Sequence, residues 1–299
     1  MKPAHPHRFG QVALLGRPNV GKSTLLNSLV GSPLSIVSPK PQTTRHRILG
    51  IVTLDGAQIA FLDTPGLHLG GKRAINRQLN RVARQVPDEA DVLVHVVAAP
   101  RWTDEDEEVW QLVSRHRAPR LLAINKIDRF PDKSALLPFV AGITATRDYA
   151  GVHYLRANRG DGNEALLRDI VAHLPEGGPR YEDDELTDRS ERFLAAEMIR
   201  EQLMLRLDAE LPYATSVEIE RFEQEGGLAR IAAAIWVERE GQKGIVVGNG
   251  GERLKAIGSA ARRRMESLFG TRVFLELWVK VRENWSDDEA ALRQFGYGD

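Results

Sequence analysis

The chain of 299 residues contains no cysteine. This absence excludes disulfide bonds, thiol catalysis and cysteine-ligated zinc, and it is typical of a reducing compartment. No apolar stretch approaches the roughly eighteen residues needed to cross a membrane, and residues 1–9 are too polar to resemble a signal peptide. We therefore expect a cytoplasmic protein. The 41 basic and 41 acidic side chains cancel, so nucleic-acid binding would require a local excess of positive charge.

Short apolar runs alternate with helical patterns over residues 10–175, which predicts an α/β domain with a mostly parallel sheet and helices on both faces. The predicted strands are Val12–Gly16, Ile48–Leu54, Gln58–Asp63, Val92–Ala98, Arg120–Asn125 and His153–Arg156. A stretch rich in Gly, Pro and acidic residues interrupts this alternation after Pro175. We place the first domain at residues 8–176, a linker at 177–190, a smaller α+β domain at 191–285 and a tail at 286–299. The second domain is predicted to contain helix Glu191–Leu207, strands Ala214–Gln224 and Leu228–Glu240, helix Glu252–Phe269 and strand Arg272–Val281.

The most informative stretch is Gly16–Ser23, which reads Gly-Arg-Pro-Asn-Val-Gly-Lys-Ser. It joins a predicted strand to leucines at helical spacing, which is the context of a phosphate-binding loop. Glycines allow successive backbone N–H groups to point inward, and the N-terminus of the following helix adds partial positive charge. We expect Lys22 to reach the outer phosphates of a nucleoside triphosphate and Ser23 to bind Mg²⁺.

Two further motifs stand at the ends of predicted strands. Asp63-Thr64-Pro65-Gly66 is expected to hold magnesium through the Asp63 carboxylate and to meet a γ-phosphate with the Gly66 amide. In Asn125-Lys126-Ile127-Asp128, the Asp128 carboxylate offers two acceptors to the paired N–H donors of guanine. Adenine presents no such pair and would leave the carboxylate unsatisfied. The sequence therefore predicts a guanine nucleotide.

Two other segments lack a clear period and are predicted as loops: residues 34–47, which are long enough to suggest a function, and residues 67–72. The acidic cluster at residues 104–108 is interpreted as the solvated first turn of a helix that Thr103 caps.

The ordered motifs resemble the small Ras-like GTPases of the translation-factor-related class. Matches at residues 41–47, 186–190, 210–213 and 237–243 extend the resemblance to bacterial GTPases that carry a type II KH domain. By this resemblance Thr44 coordinates magnesium in the GTP state, with Thr43 as the alternative. Arg156-Ala157 stands where such proteins usually have Ser-Ala, although Ala157 can still offer its backbone N–H to guanine. The implied nucleotide-binding residues are Gly16, Arg17, Pro18, Asn19, Val20, Gly21, Lys22, Ser23, Thr24, Asp63, Gly66, Asn125, Lys126, Asp128 and Ala157.

Leu67 stands where Ras-like enzymes carry the glutamine that orients the attacking water. Because leucine cannot do this, we assign no general base and expect slow intrinsic turnover. Asn19 resembles the asparagine through which related GTPases bind potassium, and K⁺ at Asn19 is a hypothesis. The candidate catalytic residues are Lys22, Thr44, Gly66 and Asn19.

Positive charge is concentrated at residues 243–282, which carry nine Lys or Arg against three Glu. A Gly-x-x-Gly sequence at residues 248–251 precedes a predicted helix, and such a loop lets backbone N–H groups approach nucleic-acid phosphates. Alone, this loop would more often be a simple turn. The order of elements around it resembles a type II KH domain, which implies RNA binding, although Gly250 stands where such loops commonly hold Lys. The candidate RNA-binding residues are Ile245, Gly248, Asn249, Gly250, Gly251, Arg253 and Lys255.

Together these features predict a monomeric GTPase that uses Mg²⁺. By resemblance, it binds 16S rRNA and the 30S ribosomal subunit through its KH domain and assists small-subunit biogenesis, either in the cytoplasm or peripherally on the inner membrane. Two alternatives stay open. One is a membrane-associated regulatory GTPase whose basic C-terminal domain contacts anionic lipid or a protein partner. The other is a nucleotide-regulated interaction protein with negligible hydrolysis.

Overall fold

The structure is a computed structural model that describes residues 7–66, 73–130 and 132–297. The chain forms two compact units. The first comprises the described residues of Met1–Gly71 and Leu79–Asp188, and the second those of Lys72–Gln78 and Arg189–Asp299. The predicted loop at residues 67–72, including Leu67, lies outside the described residues.

A six-stranded sheet forms the centre of the first unit. Its strands are β1 (Arg8–Leu15), β2 (Ile48–Leu54), β3 (Ala57–Asp63), β4 (Val92–Ala98), β5 (Arg120–Asn125) and β6 (Gly151–Leu155), in the order β2-β3-β1-β4-β5-β6. Neighbouring strands run parallel except β2, which is antiparallel to β3. The helices between the strands are α1 (Lys22–Val30), α2 (Ala74–Gln85), α3 (Asp104–Val113) and α4 (Leu136–Thr144), and α5 (Asn163–His173) follows β6. The predicted fold class is confirmed.

The first and last strands of this unit in chain order, β1 and β6, differ from their predicted bounds. β1 begins at Arg8 because Arg8 pairs with Ala57 at the start of β3, and it ends before Gly16, which belongs to the following loop. β6 begins at Gly151, since its pairing with β5 starts there, and it ends before Arg156. The predicted bounds of β2, β4 and β5 agree with the structure.

Residues 180–188, within the predicted linker, cover the outer edge of this sheet. The Ile51 amide donates to the carbonyl oxygen of Leu186 at 2.9 Å, and the Thr187 hydroxyl donates to that of Leu49 at 2.6 Å. The buried side chain of Gln58 accepts from the backbone amide of Tyr181 at 3.0 Å. The first two bonds pair backbone groups of β2, the edge strand, that would otherwise be left open.

The second unit has a three-stranded sheet in the order β7-β8-β9. Its elements are α6 (Glu191–Arg206), β7 (Ser216–Glu225), β8 (Leu228–Val237), α7 (Glu240–Val247), α8 (Glu252–Phe269), β9 (Arg272–Val281) and α9 (Glu289–Gln294). β8 is antiparallel to β7 and parallel to β9, so a crossover must join β8 to β9. The helical pair α7 and α8 provides that crossover.

The sequence prediction missed α7. It extended β8 to Glu240 and assigned no helix before the Gly-x-x-Gly loop, whereas β8 ends at Val237 and a helix of eight residues begins at Glu240. A run this short carries too little periodicity to distinguish a strand from a helix. In the structure, Val246 of this helix is fully buried in the core of the unit, together with Ile257 of α8 and Ile235 of β8.

Among the described residues, no helix has the length and apolar character that crossing a membrane requires.

Candidate functional sites

The Gly16–Ser23 loop joins β1 to α1, and its glycines are required by close packing. A Cβ atom on Gly16 would lie 2.4 Å from the carbonyl oxygen of Val96. Gly21 has a φ of +104°, and a Cβ there would lie 2.4 Å from the side-chain nitrogen of Asn125. Any larger residue at either position would displace the loop from its supports.

Lys22 lies inside this loop. Its Nζ donates to the carbonyl oxygen of Gly16 at 2.9 Å and to that of Arg17 at 3.2 Å. Burial lowers the pKa of Lys22 from 10.5 to about 8, although the nearby carboxylate of Asp63 opposes this shift. The loop therefore holds an ammonium group that has lost its hydration. An anionic phosphate would compensate for that loss.

A cluster of oxygen atoms lies beside Lys22. The Ser23 hydroxyl donates to Asp63 Oδ2 at 2.7 Å and lies 2.8 Å from the hydroxyl of Thr44. The other Asp63 oxygen, Oδ1, is buried and has no hydrogen-bond partner among the described residues. Burial raises the pKa of Asp63. Hydroxyl and carboxylate oxygens of this kind are the donors that Mg²⁺ prefers, so the residues present fit that ion.

Of the two candidate threonines, Thr44 is the one beside Ser23. The hydroxyl of Thr43 instead donates to the carbonyl oxygen of Lys40 at 2.7 Å. It also lies 2.6 Å from the hydroxyl of Ser38. The structure adds a residue that sequence reasoning missed, because the buried Ser35 hydroxyl donates to Asp63 Oδ2 at 2.8 Å. Nothing in the irregular sequence around Ser35 indicates this contact.

Gly66 lies against the phosphate-binding loop. A Cβ on Gly66 would be 2.8 Å from the backbone nitrogen of Pro18, so a side chain would push the two segments apart. A pocket of about 60 Å³ lies between these segments. It is lined by Pro18, Asn19, Gly21, Lys22, Ser23, Thr24, Ile36, Val37, Ser38, Gln42, Thr43, Thr44 and Gly66.

Asn19 has a left-handed backbone conformation, with φ of 62°. Its side-chain nitrogen donates to the carbonyl oxygen of Pro39 at 3.1 Å. This bond brings the Asn19 amide next to the backbone of the 34–47 loop.

Asn125 organises the opposite end of the site. Its Nδ2 donates to the carbonyl oxygen of Val20 at 2.9 Å, and its Oδ1 accepts from the amides of Lys126 at 2.8 Å and Ala157 at 3.0 Å. Lys126 Nζ donates to the carbonyl oxygen of Asn19. The side chain of Asp128 is exposed just beyond. Three segments distant in sequence therefore meet at one amide.

The Ala157 segment differs from the sequence expectation in one respect. Its N–H, expected to face guanine, here donates to Asn125. Arg156 is tied down as well, because its backbone bridges to Asp161 and its guanidinium forms an ion pair with the Asp161 carboxylate. Arg156, which stands where such proteins usually have Ser, thus stabilises the loop between residues 156 and 161.

The acidic cluster at residues 104–108 is more than a solvated turn, so that interpretation was incomplete. Thr103 does cap α3, in a reciprocal capping box with Asp106. However, Asp106 is completely buried and forms an ion pair with Arg17 of the phosphate-binding loop, with 3.0 Å between Oδ2 and Nε. The spacing of acidic residues in α3 does not indicate this long-range contact.

In the second unit, the Gly-x-x-Gly loop joins α7 to α8. Gly248 has a φ of +73°, and a Cβ there would lie 2.8 Å from that of Arg253. The Arg253 guanidinium donates to the carbonyl oxygen of Ile245, whose side chain is 51% exposed. Asn249 and Gly250 form the turn itself.

A groove of about 340 Å³ runs from this loop along α8 to β9. It is lined by Gly251, Leu254, Lys255, Gly258, Ser259, Arg262, Leu275 and Leu277. Gly251 and Lys255 were expected at the nucleic-acid site, whereas the remaining lining residues were missed. The helical spacing of Lys255, Gly258, Ser259 and Arg262 could have indicated a common face. A groove that combines leucines with the cations Lys255 and Arg262 suits unpaired bases attached to phosphates.

Comparison with known families and proteins identifies both units. A family model described as "50S ribosome-binding GTPase" matches residues 11–126, and one described as "KH domain" matches residues 210–286. GTPase Era of Stenotrophomonas maltophilia (strain R551-3) is 58% identical over 292 residues, which cover 98% of each chain. The chain belongs to the Era family of GTPases.

Other Era proteins agree with this assignment. GTPase Era of Xanthomonas campestris pv. campestris (strain B100) is 56% identical over 297 residues, covering 99% of this chain and 100% of that one. Two solved Era structures each have a TM-score of 0.94 and 38% identity, covering 97% of this chain and 99% of theirs. One is Era in complex with MgGDPNP and nucleotides 1506–1542 of 16S ribosomal RNA, and the other is an Aquifex aeolicus Era variant bound to GDP·AlF4⁻. The predicted resemblance is confirmed, and the chain is a GTPase that binds and hydrolyses GTP.

Proposed function

We propose that this Era-family GTPase binds the 3′ region of 16S rRNA in the groove between α8 and β9, and that it assists assembly of the 30S subunit. The observation that carries the proposal is the groove itself, which is lined by leucines together with Lys255 and Arg262 beside the Gly-x-x-Gly loop. The related Era bound to nucleotides 1506–1542 of 16S rRNA supports the choice of RNA.

At the nucleotide site, Mg²⁺ is the proposed ion, as supported by the related Era bound to MgGDPNP. Ser23 and Thr44 would bind it through their hydroxyls, and Asp63 would hold it directly or through water. The ion would neutralise charge on the β- and γ-phosphates. Lys22 would exchange its bonds to loop carbonyls for phosphate oxygens, and the Gly66 amide would orient the γ-phosphate.

RNA binding is tested by fluorescence anisotropy with a labelled 16S fragment of nucleotides 1506–1542 and the GTP-analogue complex of the whole chain. Lys255→Ala with Arg262→Ala should weaken binding about tenfold or more. In wild type, log affinity should fall with log salt by about 0.7 for each phosphate neutralised. A flat salt dependence, or unchanged affinity of the double variant, would contradict RNA binding in this groove.

A second double variant, Gly248→Asp with Gly251→Asp, places negative charge on the loop and should also weaken binding about tenfold or more. Its matched control is Gly142→Asp with Gly178→Asp, where a new Cβ meets nothing within 4 Å. The control adds the same charge outside the groove and should bind RNA as wild type does. Flotation with vesicles containing anionic lipid tests the alternative membrane partner, and lipid binding without RNA binding would favour that alternative.

We further propose that K⁺ bound near Asn19 assists hydrolysis. The position of Asn19 supports this, because Asn19 lines the pocket and its side-chain nitrogen donates to the Pro39 carbonyl, so the amide oxygen is the side-chain atom that would bind the ion. Hydrolysis should then be faster in potassium than in sodium, and Asn19→Ala should remove the difference. Equal wild-type rates in the two salts would reject the role of potassium.

A further inference from the structure

The carboxylate of Asp106 is the point where α3 meets the phosphate-binding loop. Asp106 is in the first turn of α3 and is completely buried. Its Oδ2 accepts from the backbone amide of Thr103 at 3.0 Å, from the Thr103 hydroxyl at 2.9 Å and from Arg17 Nε at 3.0 Å. Its Oδ1 is buried with no hydrogen-bond partner among the described residues. One oxygen atom therefore joins the helix cap to the loop.

Arg17 is held at both its side chain and its backbone. The guanidinium donates to Asp106, while the Arg17 carbonyl oxygen accepts from Lys22 Nζ at 3.2 Å. The side chain of Arg17 is 20% exposed and that of Asp106 is 0% exposed, so water screens the pair only weakly. A charge-assisted bond with this much burial has both the strength and the directionality to fix the backbone of the loop.

The cap of α3 does not need Arg17. Thr103 and Asp106 satisfy each other in the capping box, and the negative charge of Asp106 already suits a helix N-terminus. The bond to Arg17 therefore adds a contact that a purely structural cap would lack. Its effect should fall on the loop that carries Gly16, Arg17 and Lys22.

We propose that Asp106 is a positioning residue for nucleotide binding, which acts through Arg17 to hold the phosphate-binding loop in its receptive conformation. The inference rests on GTP binding by this loop. Asp106 does not touch the nucleotide. It fixes the Arg17 backbone, and so the carbonyl oxygens that hold the Lys22 ammonium in place.

A double-mutant cycle tests this role in the whole chain. Dissociation constants and dissociation rates are measured with a fluorescent GDP analogue for wild type, Asp106→Asn, Arg17→Met and the double variant. Each single variant should weaken binding about tenfold, mainly through faster dissociation. The double variant should be no weaker than the single variants, because both remove the same contact. Arg17→Lys keeps the positive charge and should restore part of the affinity.

Thermal unfolding without nucleotide separates positioning from stability. Asp106→Asn removes the ion pair and weakens the cap, so it should lower the unfolding midpoint by a few degrees when position 17 is Arg. With Met at position 17 the shift should be smaller, because the carboxylate that is neutralised there is buried without its cation. The effect of Asp106→Asn on nucleotide affinity should appear only when Arg17 is present. Asp104→Asn, an exposed neighbour in the same helical turn, is the matched control and should leave affinity unchanged.

Two outcomes would overturn the proposal. One is unchanged nucleotide affinity in Asp106→Asn. The other is additive losses, in which the double variant binds about a hundredfold more weakly than wild type, because independent effects multiply and a shared contact cannot be lost twice.

Discussion

The Nδ2 of Asn125 donates to the carbonyl oxygen of Val20 across 2.9 Å, and this bond joins the end of β5 to the phosphate-binding loop. Through its Oδ1 the same side chain also holds the amides of Lys126 and Ala157. Asn125 is only 3% exposed, so water cannot replace these bonds. One side-chain amide thus joins the phosphate-binding loop, the end of β5 and the Ala157 segment.

Asn125→Ala should therefore weaken GDP and GTP binding together. Removing the side chain leaves buried backbone groups without partners, at a cost of about 1–3 kcal/mol, which corresponds to roughly tenfold to a hundredfold in affinity. Titration with a fluorescent guanine nucleotide measures the loss. If the variant bound as tightly as wild type, Asn125 would not organise the site.

Asp128→Asn should change the base that the site prefers. A carboxylate can accept both N–H donors of guanine, whereas an amide offers one donor and one acceptor, which suit xanthine. GTP affinity should fall by about a hundredfold or more, and XTP affinity should rise above that of wild type. Asp132→Asn, another exposed carboxylate close by in sequence, should change neither. Competition by XDP and GDP against a labelled nucleotide measures the switch, and unchanged preference would exclude Asp128 from base recognition.

Asp63→Asn should remove most of the magnesium dependence of nucleotide binding. In wild type, chelation of Mg²⁺ should weaken GDP binding, because the Ser23, Thr44 and Asp63 oxygens would hold an ion that neutralises phosphate charge. In the variant the ratio of affinities with and without Mg²⁺ should approach one. Asp91→Asn, which alters a carboxylate bonded to the Gln11 amide, serves as the control and should keep the wild-type ratio. A retained ratio in Asp63→Asn would place the ion elsewhere.

The buried ring of His95 should make the free energy of unfolding depend on pH. The ring is completely buried in β4, with Nδ1 2.8 Å from the Tyr149 hydroxyl, and burial lowers its pKa from 6.5 to about 3. Below pH 6.5 the unfolded chain binds a proton that the folded chain does not bind until about pH 3. In that window this residue should reduce stability by about 1.4 kcal/mol for each unit that the pH falls.

Chemical denaturation between pH 7 and pH 4 measures this slope. His95→Gln should reduce the slope of unfolding free energy against pH by about 1.4 kcal/mol per pH unit, the contribution of one proton, although the variant starts from a lower stability at neutral pH. His116→Gln, which removes a histidine that follows α3 and pairs with Asp88, is the control for the loss of a ring elsewhere. Identical slopes for wild type and His95→Gln would contradict the prediction.

The sequence predicted the parts of the site that local chemistry determines. Gly16, Gly21, Lys22 and Ser23 follow from the geometry of a loop around phosphate, and strand ends place Asp63 and Asn125 beside it. The contacts of Ser35 and Asp106 could not be predicted, because each depends on two segments that meet only in the folded chain.

The groove in the second unit was only partly predicted, for a related reason. The Gly-x-x-Gly loop was recognised from its residues, but the groove is completed by Leu275 and Leu277 of β9, which the parallel pairing of β8 and β9 brings beside α8. α7 was missed because eight residues with two glycines give a weak helical pattern. A local sequence motif therefore locates the site, whereas the fold determines which distant residues line it.

Single-turnover GTP hydrolysis, measured with and without the 16S rRNA fragment 1506–1542, tests the central claim that one chain combines a GTPase site with an RNA groove. We predict slow, magnesium-dependent hydrolysis that Lys22→Ala abolishes. Added RNA should change the wild-type rate and have no effect on Lys255→Ala with Arg262→Ala. Hydrolysis that survives Lys22→Ala, or an RNA effect of equal size in the groove variant, would contradict this account.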